Sequence, residues 1–492
     1  MTTLLKNAKY LLPDCVSWGE GDILLAGGRI AAVGALPQGA EADEVIDARG
    51  KLVIPGFINA HAHSYTGYLK GSIDCMPLDI YMLHAIAGGS SRSAREIYVS
   101  TMVEALEMLK SGTTSVVDHF SERPSLTTEG LRSAADAFDN LGMRANIATM
   151  FADRGFLDTI PLLPGELPDE ARDRPSGRAQ SPEEYIAVVE QAYLDARERD
   201  GRVRVILGTD GPQRCSDHLL ELTGELERKY EMGWQTHALE AKTQAVFARE
   251  QYGVGLIEHM RDMGLLNSRL SLVHAVWLSE REMELCAEYG VNIVHCPGSN
   301  LHLGSGIAPV GRYRELGVNV ALGSDGGNCG GVAMPEQLRL AARLSRVTEP
   351  DYARWLTAAD ALKMDYSGGK RVLMRGSCGA ISEGADADLV LLDADNCLWQ
   401  PEGDLTCQLV YGESGANVDT VFVAGRKVLQ GGRSTLVDEE ALYAEAREYA
   451  ARIRRDNAPK FEAVERQTPY LRGMYLREIE RDWPEDRLVY RK

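Results

Sequence analysis

No run of this 492-residue sequence is apolar for the roughly 20 residues that a membrane-crossing helix needs, which argues against a helical membrane span. The opening segment MTTLLKNAK has no long apolar core and no cleavage site, so a secretory leader is not expected. Cys-x-x-Cys is absent, and the nine cysteines are an odd, scattered set. That pattern disfavours a disulfide framework or a zinc ribbon and fits a reducing cytoplasm. Positive charge is short: 53 Lys and Arg stand against 72 Asp and Glu, a net −19. Nucleic acid and anionic membrane are therefore not expected as partners; the expectation of a small-molecule substrate rests on the motifs, and charge says little about the pocket. No internal repeat is present. What is left is an ordinary globular composition on a chain too long for one small core.

The most informative segment is VIPGFINAHAH at 53–63. An apolar run ending in His-x-His reads as a buried strand. Alternate side chains of a strand share a face, so His61 and His63 point to one place. Two imidazoles so placed suit a single divalent metal. Two solvated loop histidines are the competing reading, disfavoured by the strand before them and by the partners found downstream.

Beyond this segment the chain alternates strand and helix. Strands are expected at 52–60, 114–119, 144–149, 204–208, 233–237, 270–274, 291–295 and 318–323. Helices are expected at 94–111 and at 182–198, the latter with Ser181 as N-cap and Glu184 completing a capping box. Eight such units predict an α/β fold, a distorted (β/α)8 TIM-type barrel. Both chain ends read as short strands with tight turns, at Gly27-Gly28 and Ala424-Gly425. They predict one small β-sandwich domain built from 1–54 and 366–435, beside a barrel at 55–365. A helical extension follows at 436–492: 439–455 reads as a charged helix. The tail beyond it is expected to pack on the surface or on another subunit, in a homodimer or larger homo-oligomer.

Barrel enzymes carry their chemistry at the C-terminal ends of the strands. Here those ends hold His61 and His63, Asp118 and His119, His237, His274, His295 and Asp325. Packing alone does not explain so many titratable groups at one mouth. An Asp in a glycine-rich turn such as GSDGG is usually an Asx-turn, but Asp325 also ends a strand. His295 is read as support for its turn rather than as a ligand, and His218 and His259 as ordinary helix residues. Three connections are long, 64–93, 151–181 and 324–335, and long loops over a barrel mouth usually carry function. The second holds Pro161, Pro164, Pro168 and Pro175, and reads either as a mobile lid or as an irregular insertion.

At these residues the chain resembles the amidohydrolase superfamily, in its aminohydrolase branch of nucleobase and nucleoside deaminases and triazine chlorohydrolases. The resemblance rests on PGFINAHAH (55–63), THALE (236–240), LVHAVWL (272–278), VHCPGSNLHLGSG (294–306) and ALGSD (321–325), in the family's order. GADADLVL (384–391) and VFVAGR (421–426) resemble its small β domain. It implies one divalent metal held by His61, His63, His237 and Asp325. Zinc is the first choice, and iron, cobalt or manganese also fit. The fourth strand ends in GTDGPQRCS (208–216) without a lysine, so a bridged two-metal centre is not expected. The resemblance further implies metal-activated water, with Asp325 taking its proton, Glu240 protonating a ring nitrogen or leaving amine, and His274 bonding the attacking oxygen.

Hydrolytic deamination of a nitrogen heterocycle is the expected reaction. Hydrolysis of a urea, carbamate or amide, or dechlorination of a xenobiotic, on the same site is the alternative. A scaffold without activity is disfavoured because the full ligand set is present. Candidate substrate contacts are His84, His119, Arg154, Arg214, Asn300, His302 and Asn328; for the two arginines a surface ion pair is an equal reading. Tyr81 stands where homocysteine-nucleoside deaminases often carry tryptophan, which weakens a nucleoside assignment. Substrate choice is expected to lie in the loops 64–93 and 324–335.

Overall fold

The structure, a computed structural model, describes residues 2–36, 41–171 and 180–489. Its centre is an eight-stranded parallel sheet in sequential order: Phe57–Ala62, Thr113–Phe120, Arg144–Phe151, Val203–Thr209, Trp234–Ala238, Leu270–His274, Asn292–His295 and Asn319–Leu322, here the first to eighth barrel strands. The first and eighth nearly close the barrel. A parallel bridge joins Ala62 to Asp325, and the His61 carbonyl accepts from the amides of Ser324 and Asp325, each at 3.0 Å. Strand alternation fills the interior with Ile58, Ala60, Val117, Ala148, Ile206, Val273, Val294 and Ala321, and Val372, Leu373 and Cys378 pack into the same cluster.

The expected strand at 52–60 is two strands. Lys51–Pro55 belongs to a second sheet, and the barrel starts at Phe57. The chain changes sheets at Pro55-Gly56, where a Cβ on Gly56 would lie 2.1 Å from Thr114 Oγ1; only glycine fits that approach. The second sheet is mixed and nine-stranded, drawing on residues 2–55 and 389–434. Lys51–Pro55 joins the chain ends in it, parallel to Thr2–Leu11 and antiparallel to Leu389–Asp393. Leu5, Ile23, Leu25, Ile30, Val53, Leu389, Leu391 and Phe422 form its apolar core. The Gly27-Gly28 and Ala424-Gly425 turns have left-handed backbone at both positions, as two-residue hairpins require.

Capping boxes start Ala94–Lys110 at Ser93 and Glu96, and Pro182–Arg197 at Ser181 and Glu184. The C-terminal helix is far longer than expected: it runs over 42 residues, Glu439–Glu480, through Pro459 and Pro469. Each proline removes one backbone donor, a local cost that the packing of a long face offsets. That face buries Ile453, Val464, Leu471 and Met474 and lies against the helix Leu78–Gly88 of the first long loop. In the second long loop, 172–179, including Pro175, lie outside the described residues, and with them the question of a lid. No helix among the described residues is long and apolar enough to cross a membrane.

Candidate metal and catalytic site

His61 lies at the end of the first barrel strand and His63 just past it, His237 lies in the fifth, His274 ends the sixth, and Asp325 follows the eighth. Three of the four histidines and Asp325 are buried, with His61 fully so. Each of His61, His63 and His237 has its Nδ1 at an acceptor: Gln235 Oε1 at 2.8 Å, the His119 carbonyl at 2.8 Å and the Asp210 carbonyl at 2.5 Å. A proton held on Nδ1 leaves a bare lone pair on Nε2, the form that binds metal.

Those Nε2 atoms converge. His63 Nε2 is 3.2 Å from His237 Nε2 and 3.2 Å from Asp325 Oδ1, and His61 Nε2 is 3.6 Å from Asp325 Oδ1. Ligand atoms around a tetrahedral ion with bonds of about 2.0–2.1 Å sit roughly 3.3 Å apart. His61 Nε2 is buried and has no hydrogen-bond partner among the described residues. The donor set therefore fits one divalent cation, and the group can hold a metal.

Beside it lie the proton-handling groups. His274 Nε2 is 3.5 Å from Glu240 Oε2 and 3.9 Å from Asp325 Oδ2. Its Nδ1 is 2.9 Å from Asn300 Oδ1, and Ser299 Oγ donates to Asp325 Oδ2 at 2.5 Å. Burial, reinforced by the Asp325 charge, pushes the Glu240 carboxyl well above the usual range. Burial would raise Asp325 too, but its close contacts with His61 and His63 outweigh it and hold that carboxyl well below its usual range. Burial brings His274 down to about 4. The site thus sets a carboxylic acid, a carboxylate and a neutral imidazole side by side, the arrangement that separates acid and base roles. His274 and Asp325 have φ of 67° and 65°, left-handed backbone of the kind stored at functional sites.

A cleft opens over these groups. His63, His237, Glu240, His274 and Asp325 line its base, and Tyr65, Leu78, Tyr81, Met82, Met150, Phe156, Ile160 and Leu303 give it apolar walls. Of the expected substrate contacts only Arg214 lines it, and Arg214 is paired with Asp210, which Arg123 also approaches at 3.5 Å.

The others are elsewhere. His84 faces the C-terminal helix, 3.9 Å from Glu465 and beside Phe461, because a helix turns about 100° per residue and Tyr81 and Met82 take the cleft side. His302 is exposed at the end of Pro297–His302, while the next residue, Leu303, reaches the cleft. Asn300 holds His274, and Asn328 accepts from the Tyr81 hydroxyl at 3.2 Å. Arg154 bonds Arg214 through its backbone. The His119 ring packs on His237 at 4.6 Å, outside the cleft lining. The positions of His84 and Asn328 weaken the expectation that they choose the substrate.

Gln235, Asp210, Ser299 and Asp79 were not singled out from the sequence. Gln235 had a legible signal: it stands two residues before His237 on one strand, hence on the same face. The Asp210 contribution is a carbonyl, which no side-chain pattern reports.

Residues 52–428 match the Amidohydrolase family. The chain belongs to that family. Two relatives span almost the whole of it. A 5-methylthioadenosine/S-adenosylhomocysteine deaminase of Desulforudis audaxviator is 31% identical over 459 residues, 92% of this chain and 99% of the relative. A 5'-deoxyadenosine deaminase of Methanobrevibacter smithii is 30% identical over 450 residues, 91% and 97% of the two chains. The crystal structure of an adenosine deaminase from Xanthomonas campestris with bound zinc superposes with a TM-score of 0.81 at 27% identity, covering 92% of this chain and 98% of the other. This amidohydrolase is accordingly an enzyme of the class that hydrolyses carbon–nitrogen bonds.

Proposed function

We propose that this amidohydrolase removes an amino group hydrolytically from a nitrogen heterocycle, with one divalent cation, zinc by preference, held by His61, His63, His237 and Asp325. The observation that carries the reading is the buried Glu240 carboxyl, 3.5 Å from His274 and lining the same cleft as Asp325, where burial pushes it well above its usual range. An aminopurine-type ring is favoured by the relatives' names, which are those of adenosine-derivative deaminases. Zinc is favoured by the bound zinc of the Xanthomonas structure.

When bound, the cation supplies the Lewis acidity that makes water a nucleophile near neutral pH. Asp325, an ionised carboxylate, accepts the proton that the attacking water gives up. Neutral His274, with its Nδ1–H directed to Asn300, offers a bare Nε2 that accepts the water's other O–H and holds the oxygen in line. Glu240 gives its proton to the ring nitrogen next to the attacked carbon, which makes that carbon electrophilic. The proton taken up by Asp325 then goes to the departing amine, the remaining O–H proton passes by way of His274 to Glu240 as the carbonyl forms, which restores the acid, and ammonia leaves. The apolar walls exclude bulk water from a flat ring. Arg214, its charge shared with Asp210, suits a ring carbonyl better than a free carboxylate.

The same reading takes 1–54 with 366–435 as one folding unit, 55–365 as the barrel and 436–492 as the extension. It places a homo-oligomer in the cytoplasm, a location supported by nine unpaired cysteines. The test is ammonia release from a panel of aminopurines, pterins, pyrimidines and triazines, measured with metal content per chain. Release that needs about one metal per chain is expected. Fully loaded protein that frees chloride, or cleaves ureas or amides, but releases no ammonia from any ring would replace this reading with the alternative hydrolase.

A further inference from the structure

Asp79 is a buried acid that the proposed chemistry leaves unused. It is the second residue of the helix Leu78–Gly88 and is 2% exposed. It lines the cleft near Glu240, between the apolar Leu78 and Tyr81. The Thr243 hydroxyl donates to its Oδ1 at 2.9 Å. Its Oδ2 is buried and has no hydrogen-bond partner among the described residues. A buried acceptor left unmade is costly, so it either meets a ligand or a trapped water.

Its neighbours say which ligand group it suits. Thr243 lies three residues after Glu240, and Gln244 holds the Glu240 amide through Oε1 at 2.7 Å while also lining the cleft. Asp79 and Glu240 are thus tied to one short segment and line the same cleft. With Oδ1 engaged by Thr243, one oxygen is left, which matches a single N–H better than a vicinal diol. A ring nitrogen protonated by Glu240 has the attacked carbon on one side and another carbon on the other. A substituent on that second carbon points along the edge that Asp79 occupies.

Resting on the deaminase reading above, we propose that Asp79 determines specificity by accepting a hydrogen bond from a second amino group, the one on the carbon beyond the nitrogen that Glu240 protonates. The preferred substrates are then heterocycles with two amino groups flanking one ring nitrogen, and their 2-amino-4-oxo or 2-amino-6-oxo products keep the Asp79 contact. A carboxylate acceptor rewards that N–H and penalises its absence, since the oxygen is then stranded in an apolar wall.

Two measurements separate this proposal from the one it rests on. The first is direct binding to metal-loaded protein, without turnover: 2-aminopurine against purine, and pterin against 4-hydroxypteridine. The second is kcat/KM for ammonia release from 2,6-diaminopurine against adenine. The 2-amino member of each pair should win by about tenfold or more, the scale of one hydrogen bond to a charged group. Asp79→Leu should bring each ratio close to one while binding of purine itself stays within a few-fold. Asp79→Asn, which preserves shape and the Thr243 contact, should give an intermediate ratio, and it stands in if the leucine variant fails to fold. Amino-selective binding lost in Asp79→Leu, but with no ammonia released from any ring, would sink the deaminase reading and leave the Asp79 contact standing. Ammonia release with no 2-amino preference, a preference unchanged in both variants, or no binding of any of the four ligands would overturn the Asp79 assignment. An unchanged preference is also what a water trapped on Oδ2, in the small gap that Asp79 also borders with Thr243 and Leu303, would produce.

Discussion

The ammonium of Lys242 lies 3.2 Å from the carbonyl oxygen of Ile479, and it donates to the Arg481 carbonyl as well. It therefore caps the last turn of the 42-residue C-terminal helix with a buried positive charge, from a position two residues after Glu240. A second tie lies close by. Arg487 donates through Nε to the Val276 carbonyl at 3.0 Å, just beyond His274, and its own carbonyl accepts from Ile307.

These ties make the C-terminal segment part of the frame around Glu240 and His274. Lys242→Met keeps the apolar stem and removes the charge. It should cost about 1–2 kcal/mol of stability, the upper range for a charge at a helix terminus. It should also lower kcat roughly tenfold or more by letting Glu240 drift. Urea unfolding and steady-state kinetics measure the two effects. A stability loss with unchanged kcat would show that the helix only covers the barrel.

The barrel was legible because its strands are short apolar runs that end in polar residues; strand alternation put His61 and His63 on one face, while the proposed ligand set as a whole came from the family resemblance. The length of the C-terminal helix was not legible. A proline inside a helix ordinarily kinks or ends it, and the apolar face packed against Leu78–Gly88 carries this one through Pro459 and Pro469. His84 misled for a related reason. Loop membership placed it near the mouth, but the rotation of one short helix decides which of its side chains reach the cleft, whereas Asn328, in the turn after the eighth strand, is taken up by the Tyr81 hydroxyl. Asp79 is in that helix too, and nothing in the sequence distinguishes its orientation from that of His84.

Glu240→Gln preserves size and removes the transferable proton. Turnover should fall about a hundredfold or more, the usual scale for a positioned acid, while metal content stays at the wild-type value. Elemental analysis beside the kinetics checks both halves. Near-normal turnover would move the acid role to another group.

Metal affinity should depend on a residue that touches no metal. Gln235 fixes the His61 ring from Nδ1 and also donates to the Ala60 carbonyl at 2.9 Å. Gln235→Ala should weaken metal binding about 10–100-fold, as loss of an outer partner of a ligand does. His61→Ala should lose metal and activity together. Competition with a chelator of known affinity measures the first. An unshifted affinity would mean that the strand alone orients His61.

Glu104 gives a pH dependence whose sign can be worked out. It is fully buried, accepts from the Gly327 amide at 2.9 Å and from the Thr66 hydroxyl at 3.2 Å, and has Lys70 at 3.4 Å. Burial, only partly offset by Lys70, pushes its carboxyl up to about 7 from an ordinary 4.5. Between those two values the folded chain keeps a proton that the unfolded chain has released, so stability falls as pH rises. The contribution is fully present below the ordinary value and is lost as pH passes through about 7. Glu104→Gln cannot ionise and lacks this dependence. Its stability relative to the wild type should therefore improve steadily from pH 5 to pH 8 in urea unfolding. Other buried acids, Asp79 among them with its carboxyl at about 6, titrate in the same window, but they are common to both proteins and largely cancel in the difference. Parallel stability curves for the two proteins would show that Lys70 keeps the Glu104 carboxylate ionised throughout.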